Sequence, residues 1–424
     1  MTEGHARQAE PDPPSRLARR LGTFDAVVIG LGAMVGAGIF AAIGPASAAA
    51  GGGLLIGLAL AATVAACNAT SSAQLAALYP RSGGTYVYGR ERLGHVWGFL
   101  AGWGFVVGKI ASCAAMALTF GAYASDDLAR PLAVGAVVGL TAVNLRGIRA
   151  TAWLTKLIVA LVLACLATTV VAATTAHPSW SRVGPLTDAG LPGILQAAGF
   201  LFFAFAGYAR IATLGEEVRD PARAIPRAIA IALTITLAVY ATVVAAALMA
   251  VGPEVLAMSP APLAAVARAG DPAWAVPLTR IGAVVASLGV LLSLLAGVGR
   301  TAFSMAAEGD LPRWLSAVDA RRHVPHRAEL LVGAAVIAIV LVADVRGAIG
   351  FSAFAVLAYY TIANASAWTL GPKERRAPRA VAVAGMLGCL VIAFSLPATS
   401  VIAGAAVLLA GAVVWAVKAR RDRT

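Results

Sequence analysis

Apolar residues run along this chain in long blocks, separated by short polar segments that hold most of its charge. A helix needs about 20 residues to cross the hydrocarbon of a bilayer. Twelve blocks are read as candidate spans: roughly 24–47, 53–77, 94–123, 130–145, 152–173, 190–213, 225–251, 273–303, 328–344, 347–370, 379–396 and 399–417. The split between 328–344 and 347–370 is the least marked. The polar connectors are short, the longest being about 16 residues after the fifth block, about 20 after the seventh and about 24 after the eighth. None is large enough for a core of its own. The pattern predicts an all-α integral membrane protein with twelve transmembrane helices and no soluble domain.

Two of the blocks are interrupted by glycine. Gly36-Ala37-Gly38-Ile39-Phe40 breaks the first, and Phe202-Phe203-Ala204-Phe205-Ala206-Gly207-Tyr208 breaks the sixth. A break frees backbone amides and carbonyls that lipid cannot satisfy, so it persists only where protein or a polar cavity covers it. One such break in each half of a chain marks a carrier's binding site. Gly36 and Gly207 are 171 residues apart. That spacing fits two five-helix repeats of opposite orientation, with the last two spans as an accessory pair. A third glycine series, Gly94, Gly98 and Gly102, then Gly104 and Gly108, has the four-residue spacing of close helix contact and carries no chemistry.

The composition is 60% hydrophobic and only 12% charged, which excludes an ordinary soluble globular protein. The net charge of +13 raises nucleic-acid binding, but its placement argues against it. With the N-terminus in the cytoplasm, 25 of the 33 Lys and Arg residues fall in cytoplasmic segments. The opposite loops receive Arg130, Arg182, Arg268 and Arg346. The basic charge therefore sets topology, and both termini are expected to be cytoplasmic. The polar segment from Met1 to Gly22 leads into an uncleaved span, not a signal peptide. Cys67, Cys113, Cys165 and Cys389 lie inside blocks without metal-ligand spacing and read as packing residues.

Several motifs, in order, resemble the amino acid–polyamine–organocation (APC) permeases. They are Gly36 to Phe40; Tyr79-Pro80-Arg81-Ser82-Gly83-Gly84-Thr85-Tyr86-Val87-Tyr88; Asn144, Gly147 and Arg149; and Phe202 through Pro226, including Glu216-Glu217-Val218-Arg219-Asp220-Pro221 and Ile225-Pro226-Arg227. Arg300, Met305, Gly309, Leu311 and Pro312 add a fifth. The resemblance covers about Phe24 to Leu370. It implies the ten-helix inverted-repeat (LeuT-like) fold of sodium-coupled amino acid carriers. The expected division is a cytoplasmic tail at 1–22, a transport core at 23–370, and accessory helices with a cytoplasmic tail at 371–424.

The resemblance also implies that an amino acid binds between the broken helices, at Met34, Gly36, Ala37, Gly38, Ile39, Phe203, Ala204, Phe205, Ala206 and Gly207. The positive end of the half-helix after Gly38 suits a carboxylate, which is assigned to the amides of Ala37 and Gly38. The amine is assigned to the carbonyls of Met34, Phe203 and Ala206. Phe203 stands where several family members place an aromatic gate. Core packing is the plain alternative for Phe203, and close helix contact for the glycines.

The chain also departs from the family pattern. Proton-coupled members carry a lysine in helix 5 about fifteen residues after the glycine of the N-x-x-G turn; here that position is Val162, and Lys156 is expected to snorkel to the interface. Helix 6 has Ala209 and Arg210 where many members have an acid, so a cationic side chain lacks an obvious counter-charge. Arg210 is expected to cap the break near Glu216 and Glu217. Lys109, in the middle of the third block, costs about 2.5–3.5 kcal/mol to insert as a charge and is therefore read as a coupling or pocket charge that exchanges a proton or pairs with the substrate carboxylate, the plain alternative being a lysine bonded to loose carbonyls of the broken helices. Aligned through Trp103, it faces the pocket.

The expected function is secondary active transport of a small amino acid across the plasma membrane, by proton symport or, alternatively, by exchange of amino acids or polyamines without ion coupling. No catalytic residue, metal or cofactor is expected, and sequence shows no dedicated oligomer interface. Among other classes, an enzyme finds poor support in Asp126-Asp127, His323 with His326, or Gly30-Leu31-Gly32 and Gly36, none with partners at a productive spacing. A channel would need charge rings or a filter loop, and neither is present.

Overall fold

A computed structural model describes residues 21–36, 38–80, 83–147, 152–214, 217–319 and 321–421. Ala37 of the first predicted break lies outside these residues, as do Arg81, Ser82, Arg149 and Glu216 of the motifs and most of the expected N-terminal tail.

The described residues form α-helices throughout, with a single isolated β-bridge between Leu21 and Val218. In chain order the helices are α1 (Thr23–Met34), α2 (Gly38–Ala50), α3 (Leu54–Leu78), α4 (Thr85–Leu93), α5 (His95–Ala124), α6 (Ala129–Leu145), α7 (Ala152–Thr175) and α8 (Gly190–Phe205). They continue with α9 (Ala209–Ala212), α10 (Pro221–Met258), α11 (Pro262–Ala269), α12 (Ala275–Ala307), α13 (His326–Val342), α14 (Val345–Trp368), α15 (Arg379–Phe394) and α16 (Ala398–Arg421). Every apolar block of the sequence falls on helix. Eight helical stretches among the described residues are long and apolar enough to cross a membrane, one of them the continuous run Gly38–Leu78. The apolar helices Thr23–Met34, Ala129–Leu145 and Arg379–Phe394 are shorter.

Both predicted breaks are real interruptions of helix. The first block divides into α1 and α2 at Val35-Gly36. The sixth divides into α8 and α9, joined by a 3-10 turn at Ala206–Tyr208. α10 is kinked near its end, where Gly252 has φ 79° and Pro253 follows. Two of the short connectors contain helix of their own. The segment after the seventh block folds into α11, started by Pro262 and burying Leu263 and Val266. The family-like loop motif folds into α4, with Tyr86 and Tyr88 buried and Arg90 and Arg92 in its last turn. Both helices are too short to register against apolar blocks of membrane length.

α5 and α14 pack against each other at the centre, each 78% buried over its apolar window, whereas α16 is only 17% buried and lies at the rim. Hydrogen bonds between small polar side chains join helices inside the bundle: Ser112 with Ser352 at 2.7 Å, Thr169 with Thr279 at 2.7 Å, and Asn364 to Asn68 at 2.6 Å. The outer face is apolar, with Trp153 70%, Phe394 65% and Ile402 68% exposed. Such a surface suits lipid, and the protein is a multi-pass membrane protein. One end of the bundle carries α4, the loop 308–325 and the segment 371–379, and is called here the basic end.

Candidate functional site: the crossing of two broken helices

The two breaks meet backbone to backbone, and their glycines make this possible. A Cβ on Gly38 would lie 2.7 Å from the Cα of Ala204. A Cβ on Gly207 would collide with the carbonyl of Ala33. Gly36 is pressed in the same way against the side chain of Val290 on α12. Any larger residue at these positions would push the half-helices apart.

The chain ends created by the breaks define the chemistry. α2 opens with Gly38, Ile39 and Phe40, whose amides belong to the first turn and have no acceptor within the helix. They form the positive end of α2 and suit a carboxylate. α1 and α8 end in carbonyls, and here buried phenols intervene. The Tyr240 hydroxyl of α10 donates to the Met34 carbonyl at 2.5 Å and reaches that of Ala204 at 3.2 Å. The Tyr360 hydroxyl of α14 donates to the Ala206 carbonyl at 3.4 Å. Each carbonyl oxygen keeps a second lone pair for a further donor. Phe205 stacks edge-on against Tyr240 with ring centroids 5.1 Å apart, and Phe202 against Tyr360 at 5.8 Å.

A cavity of about 790 Å3 leads from the basic end to this crossing. Gly36, Val162, Val290 and Ala286 line its inner part; Arg210, Glu217, Arg300, His323 and Glu329 line its wider mouth. The opposite side of the crossing is packed. The Phe40 ring meets that of Tyr123 edge-on at 5.7 Å, Tyr123 donates to the Phe40 carbonyl at 3.3 Å, and the Leu263 amide of α11 donates to Tyr123 at 3.1 Å.

The residues singled out in the sequence are placed as follows. Gly36 lines the cavity. Met34, Gly38, Ile39, Ala204, Phe205 and Ala206 are buried around the crossing. Gly207 abuts α1, and Phe203 is half-buried against the core. Lys109 is buried in α5 and makes no hydrogen bond or ion pair among the described residues; Cys113, one turn further, is its nearest electrostatic partner. It is not among the residues lining the cavity, and Trp103, used to orient it, donates to the Val407 carbonyl of α16 at 2.9 Å. Lys156 pairs with Asp25 of α1 at 2.7 Å at the basic end, and Arg210 bonds Thr213 at 3.4 Å.

Sequence reading missed Tyr240, Tyr360 and Glu329. Tyr240 was detectable as a lone phenol inside a long apolar block, because a buried hydroxyl there needs an acceptor. Glu329 sits at the margin of its block, where a carboxylate ordinarily reads as interfacial; the structure leaves it only 4% exposed.

Comparison with known proteins places the site in context. Residues 21–417 match the amino acid permease family model. An uncharacterized transporter of Mycobacterium tuberculosis is 61% identical over 410 residues, 96% of this chain and 93% of the relative. The branched-chain amino acid permease BcaP of Bacillus subtilis is 29% identical over 343 residues, 75% of this chain and 73% of the relative. Cationic amino acid transporter 4 of Homo sapiens is 28% identical over 377 residues, 82% of this chain and 59% of the relative.

Proposed function

Since this chain belongs to the amino acid permease family and is a transporter, not an enzyme, we propose that it moves a small amino acid across the plasma membrane by alternating access, with proton symport as its mode. In this reading twelve spans form a five-plus-five inverted repeat with an accessory pair, and both termini lie in the cytoplasm. The basic end is then the cytoplasmic end, and the cavity is the inward-facing path.

The observation that carries the reading is the meeting of the cavity and the two breaks at Gly36. The substrate carboxylate takes the amides of Ala37 and Gly38, and the ammonium group takes the free lone pairs on the carbonyls of Met34, Phe203 and Ala206. Ala204, Ala206 and Ala209 are small, which suits a small substrate side chain. BcaP, named for branched-chain amino acids, supports a neutral substrate. A cationic side chain would need a carboxylate at the crossing, whereas Glu217 and Glu329 stand at the cavity mouth. Lys109 is assigned the coupling role in place of the family's helix-5 lysine.

Exchange without ion coupling is the second reading, favoured by Val162, an aliphatic residue lining the cavity at that family position. Radiolabelled uptake into proteoliposomes over a panel of amino acids and polyamines separates them. Accumulation driven by an inward proton gradient alone supports symport. Uptake that needs internal substrate supports exchange. Absence of any flux in both modes contradicts the proposed transport.

A further inference from the structure

The mouth of the cavity holds a buried carboxylate that nothing among the described residues fully uses. Glu329 lies in the first turn of α13 and is 4% exposed. Its Oε1 packs against Gly299 of α12, where a Cβ would stand 2.7 Å away, so glycine at 299 makes the space for the carboxylate. Asn144 of α6 stands beside the same side chain, its own amide donating to the Leu292 carbonyl at 3.4 Å. Its Oε2 is buried and has no hydrogen-bond partner among the described residues, and the residue lines the cavity. A buried charged oxygen without a partner is costly and calls for a cationic visitor or a proton.

Cations of the protein stand nearby without filling that role. Arg300 lines the same cavity one turn below Ala296, to whose carbonyl its Nε donates at 3.2 Å. Its charge acts on Glu329, yet among the described residues it forms no ion pair with it. Arg210 lines the cavity from α9 and is electrostatically coupled to Arg300. The mouth therefore presents a carboxylate with one unpartnered oxygen and two guanidinium groups around a space whose volume is in the range of small-molecule sites, about 300–1,000 Å3.

We propose that this mouth is a second amino acid-binding site, separate from the helix crossing, in which Glu329 receives the α-ammonium group and Arg300 the α-carboxylate. The fork of a guanidinium matches a carboxylate in two parallel hydrogen bonds, and the unpartnered Oε2 accepts from an ammonium once a small side-chain shift turns it to the cavity. Arg210 adds positive potential on the carboxylate side. An amino acid would occupy this site on its way between the crossing and the basic end, so the two sites would fill in series. The proposal rests on the transport reading above.

The test is equilibrium binding to the purified full-length protein, using a radiolabelled amino acid that the wild type transports. Wild type is expected to bind two equivalents, with a tight and a weak class. Glu329→Gln, which keeps the shape of the side chain, and Arg300→Gln are each expected to remove the weak class. In inside-out vesicles, each is expected to raise half-saturation at the basic end at least tenfold. Arg300→Lys is expected to restore part of the loss, since a point charge replaces a fork, and all variants should elute and melt as the wild type does. One equivalent in the wild type overturns the second site alone. Glu329→Gln with both classes intact but an altered proton dependence overturns the ammonium role in favour of a proton. A wild type that binds and moves no amino acid overturns the transport reading and this site with it.

Discussion

At the scale of single residues, Tyr240 has the most consequential position at the crossing. Its hydroxyl spans the carbonyl ends of α1 and α8, at Met34 and Ala204, and so ties the two half-helices to α10. Tyr240→Phe keeps the ring against Phe205 but leaves buried carbonyls short of a donor, a cost of about 1–3 kcal/mol. The expected result is a lower melting temperature in detergent, together with weaker amino acid binding. Lys109 tests a different idea. A buried ammonium without a hydrogen-bonding partner among the described residues is expensive to keep, and the proposed coupling role would account for it. Lys109→Met is expected to abolish the proton-dependent part of transport while leaving the protein folded. A variant with the wild-type rate and pH profile would remove Lys109 from the mechanism. The glycines at 36, 38 and 207 were legible from sequence because a helix breaker inside a membrane span has few explanations. The phenols over the carbonyls were not, because no local pattern tells which distant backbone a tyrosine will reach.

At the scale of elements, the structure adds ties that hydrophobic blocks do not encode. Asp310, in the loop after α12, is buried at the basic end and accepts from Tyr86 of α4 at 2.7 Å, with His95 of α5 at 2.9 Å. Lys418 of α16 stands 3.9 Å from the same carboxylate and also bonds the Gly309 carbonyl. Arg90 of α4 pairs with Glu308 at 3.0 Å. One carboxylate thus joins α4, α5, the end of α12 and the peripheral α16. Asp310→Asn keeps the size and removes the charge, and is expected to lower stability by about 2 kcal/mol, the scale of a hydrogen bond to a charged group. The check is thermal unfolding of the purified protein, with an unchanged melting temperature contradicting the hub. The apolar blocks located the long helices because burial in lipid demands continuous apolar sequence. α4 and α11 were not legible, since helices of 9 and 8 residues take their stability from neighbours that are far away in the chain.

At the scale of the whole molecule, a bundle with an apolar outer surface is packed on one side of the crossing and hollow on the other. The hollow side is the basic side, where the chain concentrates its Lys and Arg residues. That coincidence connects topology to mechanism: in the proposed orientation, with the basic end in the cytoplasm by the positive-inside rule, the cavity opens inward. In the proposed mechanism an amino acid reaches the crossing at Gly36 through this cavity. A cysteine placed at Val290, which presses on Gly36 and lines the cavity, reports on that passage. The measurement is the rate at which Val290→Cys reacts with a membrane-impermeant thiol reagent in inside-out vesicles, with the parent protein as control for the native cysteines. Labelling from the cytoplasmic face that a transported amino acid slows is the expected result. Labelling from the cytoplasmic face that no amino acid alters, or no labelling from that face at all, would contradict it.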